Sequence, residues 1–142
     1  MRFSFMSIAG LAVLTLAAPV FTLAAEQSLG QREYQSRCAM CHGVAGKGDG
    51  WLSGYLTYRT PSLTQLRKNN GGVFPFASLT LVIDGRAFVK LHGPREMPVW
   101  GTIYSMELES AYESQFGLRY ADEGIIRARI LALVEYISQL QE

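Results

Sequence analysis

The chain has 142 residues, thirteen Lys and Arg against twelve Asp and Glu, and only two cysteines. With three lysines (Lys47, Lys68 and Lys90) and no basic run, it lacks the charge footprint of a nucleic-acid binder. Two thiols exclude a four-sulfur zinc site, and a mixed one would need distant histidines, of which only His92 is spare.

The first 25 residues have the anatomy of a secretory signal peptide. Arg2 supplies a positive start, and Phe3 to Ala18 is a nearly continuous apolar run with Ile8, Leu11, Val13, Leu14 and Leu16. Pro19 interrupts it, and Leu23-Ala24-Ala25 places small residues before Glu26. The expectation is cleavage near Ala25 and export to the periplasm; the alternative is an uncleaved anchor. Removing the leader would leave about 117 residues, a size suited to one domain with one core, here residues 26–142. Loss of Arg2 leaves twelve basic residues facing twelve acidic ones.

Leu29, Gly30 and Tyr34 suggest a short helix, with Gly30 and Tyr34 four apart on one face. A glycine inside a helix weakens it, so its presence implies close approach by another element. This helix leads into Cys38-Ala39-Met40-Cys41-His42. Two thiols three residues apart followed at once by histidine are what covalent attachment of a c-type haem requires. The sulfurs reach both vinyl groups of one porphyrin, and the adjacent imidazole of His42 falls under the ring as proximal iron ligand. Zinc ribbons, thioredoxin-like sites and disulfides have no need of that histidine. An oxidising compartment agrees with this thiol chemistry.

From His42 to Thr60 the glycines at 43, 46, 48, 50 and 54 predict a loop that turns tightly against the porphyrin edge. No Gly-Lys-Ser/Thr ending supports a phosphate loop. Pro61-Ser62 is expected to open a helix running to about Asn69, with Ser62 as N-cap and Leu63 and Leu66 inward. Asn69-Asn70-Gly71-Gly72 ends it. Phe76 to Asp84, closed by Gly85, is expected to be helical, with a strand over Leu79–Ile83 as the alternative. A further helix is expected around Ser105 to Phe116. The last runs from Glu123 to Gln141, with Asp122 as cap and Ile126, Ile130, Leu133, Val134, Ile137 and Leu140 at helical spacing. Arg127 and Arg129 fall on its more polar side.

The sixth iron position separates electron carriers from enzymes and sensors. Met97 stands in His92-Gly93-Pro94-Arg95-Glu96-Met97-Pro98-Val99-Trp100-Gly101, a turn-rich segment with prolines on both sides. Pro98 biases Met97 toward extended backbone, which projects a side chain from a loop. A thioether opposite imidazole stabilises ferrous iron. The competing role for Met97 is core filler. His92 is a second ligand candidate or a loop residue near a propionate, while Met106 reads as surface or core and Met40 points away. Trp100 is either a haem contact or a core anchor. Arg86 and Arg95 are propionate candidates or solvated surface residues.

With the attachment pentad, the Met-Pro-Val-Trp-Gly segment and a closing helix containing Tyr136, the chain resembles the class I c-type cytochromes. It is most similar to single-haem bacterial periplasmic members with a His-Gly-x-x-x-Met-Pro-x-Trp-Gly segment, over about residues 28–140. The resemblance implies an all-α cytochrome c fold whose terminal helices cross near Gly30 and Tyr136. It implies one covalent haem c on Cys38 and Cys41, with His42 and Met97 as axial ligands. It also implies electron transfer with a dehydrogenase, reductase or oxidase, as free carrier or complex subunit, and no enzymatic activity of the chain by itself. The stretch from Thr102 to Asp122 departs from the pattern, being longer than a minimal member needs. Two other classes remain: a haem enzyme or gas sensor with an open or displaceable sixth position, and a haem-free thiol–disulfide protein.

Overall fold

The computed structural model describes residues 26–86 and 97–142. The expected signal peptide and the residues His92 and Arg95 lie outside that range. Among the described residues every regular element is helical. The all-α expectation holds, and the strand alternative for Leu79–Ile83 and the strand-and-helix alternation of a thioredoxin-like protein both fall.

The chain begins with a continuous helical run. Helix α1 (Leu29–Glu33) is capped by Ser28, whose hydroxyl accepts from Gln31 N–H at 3.2 Å. It passes into a π-wound stretch, Tyr34–Cys38, where Ala39 N–H reaches back five residues to the Tyr34 carbonyl. Helix α2 (Ala39–His42) completes the run and stops at Gly43, whose φ of 80° suits glycine.

The glycine loop then folds back on the attachment helix by backbone hydrogen bonds. Gly48 N–H donates to His42 O (2.8 Å), Gly50 to Cys41 O (3.1 Å) and Leu52 to Met40 O (2.9 Å). A Cβ on Gly50 would lie 2.3 Å from the Met40 carbonyl oxygen. Gly48 and Gly50 thus approach protein backbone, Gly43 and Gly46 approach side chains, and Gly54 has open space. A single 3₁₀ turn spans Ser53–Tyr55.

The helix expected from Pro61 to Asn69 is shorter than its pattern. Only α3 (Leu66–Asn69) is helical. Partners distant in sequence claim the groups upstream: Leu63 N–H donates to Gly46 O at 2.7 Å, and Thr64 O accepts from Glu142 N–H at 2.9 Å. Ser62 Oγ lies 3.3 Å from Thr64 N, a local turn rather than a helix cap.

Helix α4 (Phe76–Asp84) matches its expected bounds, and Gly85 closes it in the left-handed conformation with φ 86°. Helix α5 spans Trp100–Phe116, five residues earlier than expected, and ends at Gly117. Helix α6 (Glu123–Gln139) starts at Asp122, whose carboxylate accepts from Gly124 N–H at 2.7 Å and Ile125 N–H at 3.2 Å.

The core forms where α1 and α6 cross. Tyr34, Ile130, Leu133 and Val134 are fully buried there, each such side chain contributing about 1.5–3 kcal/mol. Tyr34 packs on Tyr136 with ring centroids 5.3 Å apart, and its hydroxyl donates to Gly43 O at 2.7 Å. Helices α4 and α5 pack on α6 from the other side. No helix among the described residues is long and apolar enough to cross a membrane.

Candidate functional site

Between the attachment helix, the loop before α3, helix α4 and the start of α5 lies a cavity of about 440 Å³. Cys38, Cys41, His42 and Met97 all line it, so the fold brings to one place four residues drawn from two distant segments. Apolar side chains make up much of its wall: Leu56, Leu63, Leu66, Leu79, Val82, Ile83 and Ile137. Of the apolar residues of α4, Leu79, Val82 and Ile83 face the cavity and Leu81 is exposed.

His42 is 9 % exposed, and its Nδ1 lies 3.1 Å from the Pro61 carbonyl oxygen. A carbonyl can only accept, so this contact makes Nδ1 the protonated nitrogen and puts the ring's metal-binding lone pair on Nε2. The Pro61 segment is held in turn from behind by the C-terminus. Gln141 Nε2 donates to Leu63 O at 2.7 Å, and Arg67 N–H donates to Gln141 Oε1 at 2.9 Å.

Both thiols are pushed up from their usual range. Burial, and then the charge of Glu33, raises Cys38 to about 12, and burial raises Cys41. A thiol–disulfide catalyst needs the opposite, a stabilised thiolate near neutral pH. The chemistry that suits two neutral sulfurs on an apolar wall is attachment to an apolar body.

Met97 is partly buried, packs against the core and faces the cavity. Met40 and Met106 are 39 % and 65 % exposed and do not line it. Trp100 is buried in the core, as its anchor reading expects, and it also lines the cavity. Arg86 sits on the surface with Asp84 (2.5 Å) and Glu123 (3.3 Å), in keeping with a solvated arginine.

Sequence reasoning missed five polar residues of the wall: Arg37, Tyr58, Arg59, Thr60 and Ser78. Thr60 Oγ1 is buried without a hydrogen-bond partner among the described residues. A buried hydroxyl left this way costs about 1–3 kcal/mol unless a ligand supplies the partner. An orphaned donor beside two sulfurs, an imidazole and a thioether fits a haem, whose carboxylates are acceptors.

Arg37 belongs to a network that the sequence did not reveal. Arg129, expected on the polar side of α6, is instead half-buried within it. Glu33 accepts from Arg37 Nε at 2.9 Å, Arg129 Nε at 3.0 Å and the Tyr104 hydroxyl at 3.1 Å. Glu107 takes Arg37 as a fork, at 2.8 and 3.0 Å, and Arg129 Nη1 at 3.1 Å. The Arg129 guanidinium lies 3.9 Å from the Tyr104 ring centroid, and Arg37 lies over Trp100 at 5.7 Å. Burial works against the charge on Arg37, but Glu107 and Glu33 outweigh it and raise its pKa.

A helical fold whose terminal helices cross, with a paired-cysteine-histidine helix against an apolar cavity, defines a haem-binding class of protein. The Cytochrome c family model matches residues 27–141, and the chain belongs to that family. Neither a curated protein nor a solved structure matches the chain. Family membership makes it a haem-binding electron-transfer protein whose cofactor is covalent haem c with iron.

Proposed function

We propose that this chain is a periplasmic electron carrier, or the cytochrome subunit of a redox complex, formed by residues 26–142 after removal of a signal peptide at 1–25. Cys38 and Cys41 would hold one haem as thioethers, and His42 and Met97 would supply its iron ligands. The observation that carries this reading is the convergence of Met97 with Cys38, Cys41 and His42 on one apolar cavity. When bound, the haem supplies a one-electron Fe(III)/Fe(II) couple.

Each residue has a definite part. His42 is oriented by Pro61, which would hold its other ring nitrogen in place for the iron. The leucine and isoleucine walls exclude water, which favours the less charged ferrous site. Met97 would offer a soft sulfur to the iron and so exclude small molecules from it. Thr60 and Arg59 provide a donor and a positive charge for the haem carboxylates. Partners are redox proteins that dock transiently or share a complex.

The test is redox cycling of the protein isolated from the periplasmic fraction, combined with carbon monoxide binding and N-terminal sequencing. A carrier cycles reversibly, resists carbon monoxide when reduced, and begins near Glu26. Ready carbon monoxide binding would favour the enzyme or sensor alternative, and an intact leader would favour an anchored protein.

A further inference from the structure

We propose that the Glu33–Arg37–Glu107–Arg129 network is a positioning device for Met97. It fixes the start of α5, and through it the short lead-in that carries the thioether. This inference rests on the ligation reading above.

The network grips α5 at Trp100, Tyr104 and Glu107, positions spaced to lie on one face of the helix. Arg37 comes from the segment directly before the attachment cysteines, and Arg129 comes from α6. The grip is on the N-terminal half of α5, the end that continues from Met97. Beyond Glu109 the helix is mostly exposed. Met97 is three residues from Trp100, a span of at most roughly 11 Å, and Pro98 stiffens it. Fixing Trp100 therefore leaves Met97 little room to wander.

The end of α4 holds the same lead-in by close approach. A Cβ on Gly85 would meet Val99 Cγ1 at 2.3 Å, and one on Gly101 would meet the Asp84 carbonyl oxygen at 2.7 Å. Val99 and Gly101 are thus seated in close notches while the charged network secures the residues that follow. Two glutamates and two arginines cancel in net charge, so the device acts by orientation rather than by adding a field. Paired charges with Glu33 buried are also poor at stabilising a fold compared with apolar packing. They are good at demanding one geometry. The same network explains why the longer stretch after Thr102 is compatible with a haem site: its first two turns are bound to the attachment segment and to α6.

The test uses the purified holoprotein. The ferric sulfur-ligation band near the infrared edge and the affinity for added imidazole are measured in wild type, Glu107→Gln, Arg129→Lys and Ile130→Val. Imidazole binds ferric iron only where the thioether has left, so its apparent affinity scales with the fraction of molecules in that state. Glu107→Gln and Arg129→Lys are expected to bind imidazole about tenfold more tightly, with a weakened sulfur band. Ile130→Val, a core trimming outside the network, is expected to bind as wild type and controls for general loosening. Network variants with wild-type affinity and band would overturn the inference, as would an Ile130→Val shift of equal size. A wild type lacking the sulfur band would instead overturn the ligation reading, and the inference with it.

Discussion

Gly30 lies so close to Ala132 that a Cβ on Gly30 would come within 1.9 Å of the Ala132 carbonyl oxygen. Tyr136 Cβ would be 3.0 Å away, on the next turn of α6. The crossing of α1 and α6 therefore depends on a missing side chain, and the obstacle is backbone that cannot swing aside. Gly30→Ala must separate the two helices or bend one of them. The expected cost is about 3 kcal/mol, the upper part of the overpacking range, seen as a fall in Tm of roughly 10 °C or more. Thermal unfolding of the holoprotein followed by circular dichroism checks this. A variant within a degree or two of wild type would mean that the crossing is looser than its geometry implies.

Covalent attachment is tested by mass. The wild-type protein is expected to retain the mass of one haem after denaturation and extraction. Cys38→Ser combined with Cys41→Ser is expected to lose it, because the proposed ligation by His42 and Met97 would hold iron only while the cavity is folded. Haem that survives denaturation in the double variant would place the thioethers elsewhere.

Buried phenols set the alkaline limit of the fold. Burial, and then the charge of Glu33, holds Tyr104 well above its ordinary value, and burial does the same for Tyr34. An unfolded phenol ionises near pH 10 while these two stay neutral, so the unfolded chain loses protons first. Their contribution is present in full below about pH 10 and is lost as pH rises toward their folded values. Each group steepens the decline by at most about 1.4 kcal/mol per pH unit. Tyr104→Phe removes one of them, so urea unfolding between roughly pH 9 and 11 is expected to show a shallower decline. Parallel curves for variant and wild type would contradict the assignment.

The notch at Gly85 is a further point of leverage. Its φ of 86° already disfavours any side chain, and a Cβ would collide with Val99. Gly85→Ala is expected to cost about 2 kcal/mol, combining backbone strain with the contact. Because the contact is to the segment after Met97, the ferric sulfur band is expected to weaken in the same variant. Unfolding midpoints at wild-type denaturant concentration would show that the notch is dispensable.

What the sequence revealed and what it concealed divide along local and distant causes. Phe76–Asp84 was legible because its apolar residues and its terminal glycine are all local. The Asp122 cap, the α6 stripe and the attachment pentad were legible for the same reason. The start of α5 was not, since Val99 makes no side-chain cap and the helix begins where Trp100 is buried. The turn at Ser62–Gln65 looked helical because its competing partners, Gly46 and Glu142, are far away in sequence. Arg129 looked solvated because its partners, Glu33 and Glu107, belong to other helices. The π-wound stretch before Cys38 leaves no compositional mark at all. Of the cavity wall, Cys38, Cys41 and His42 were readable from spacing and Met97 from its proline-flanked segment, whereas Thr60 and Arg37 join it only through tertiary placement.

The most direct measurement is the ferric optical spectrum of the mature holoprotein beside Met97→Ala. The sulfur-ligation band near the infrared edge is predicted in the wild type and its loss in the variant, which then binds carbon monoxide when reduced. A wild type that is already high-spin and binds carbon monoxide as readily as Met97→Ala would contradict the account, and place an enzyme or sensor ahead of an electron carrier.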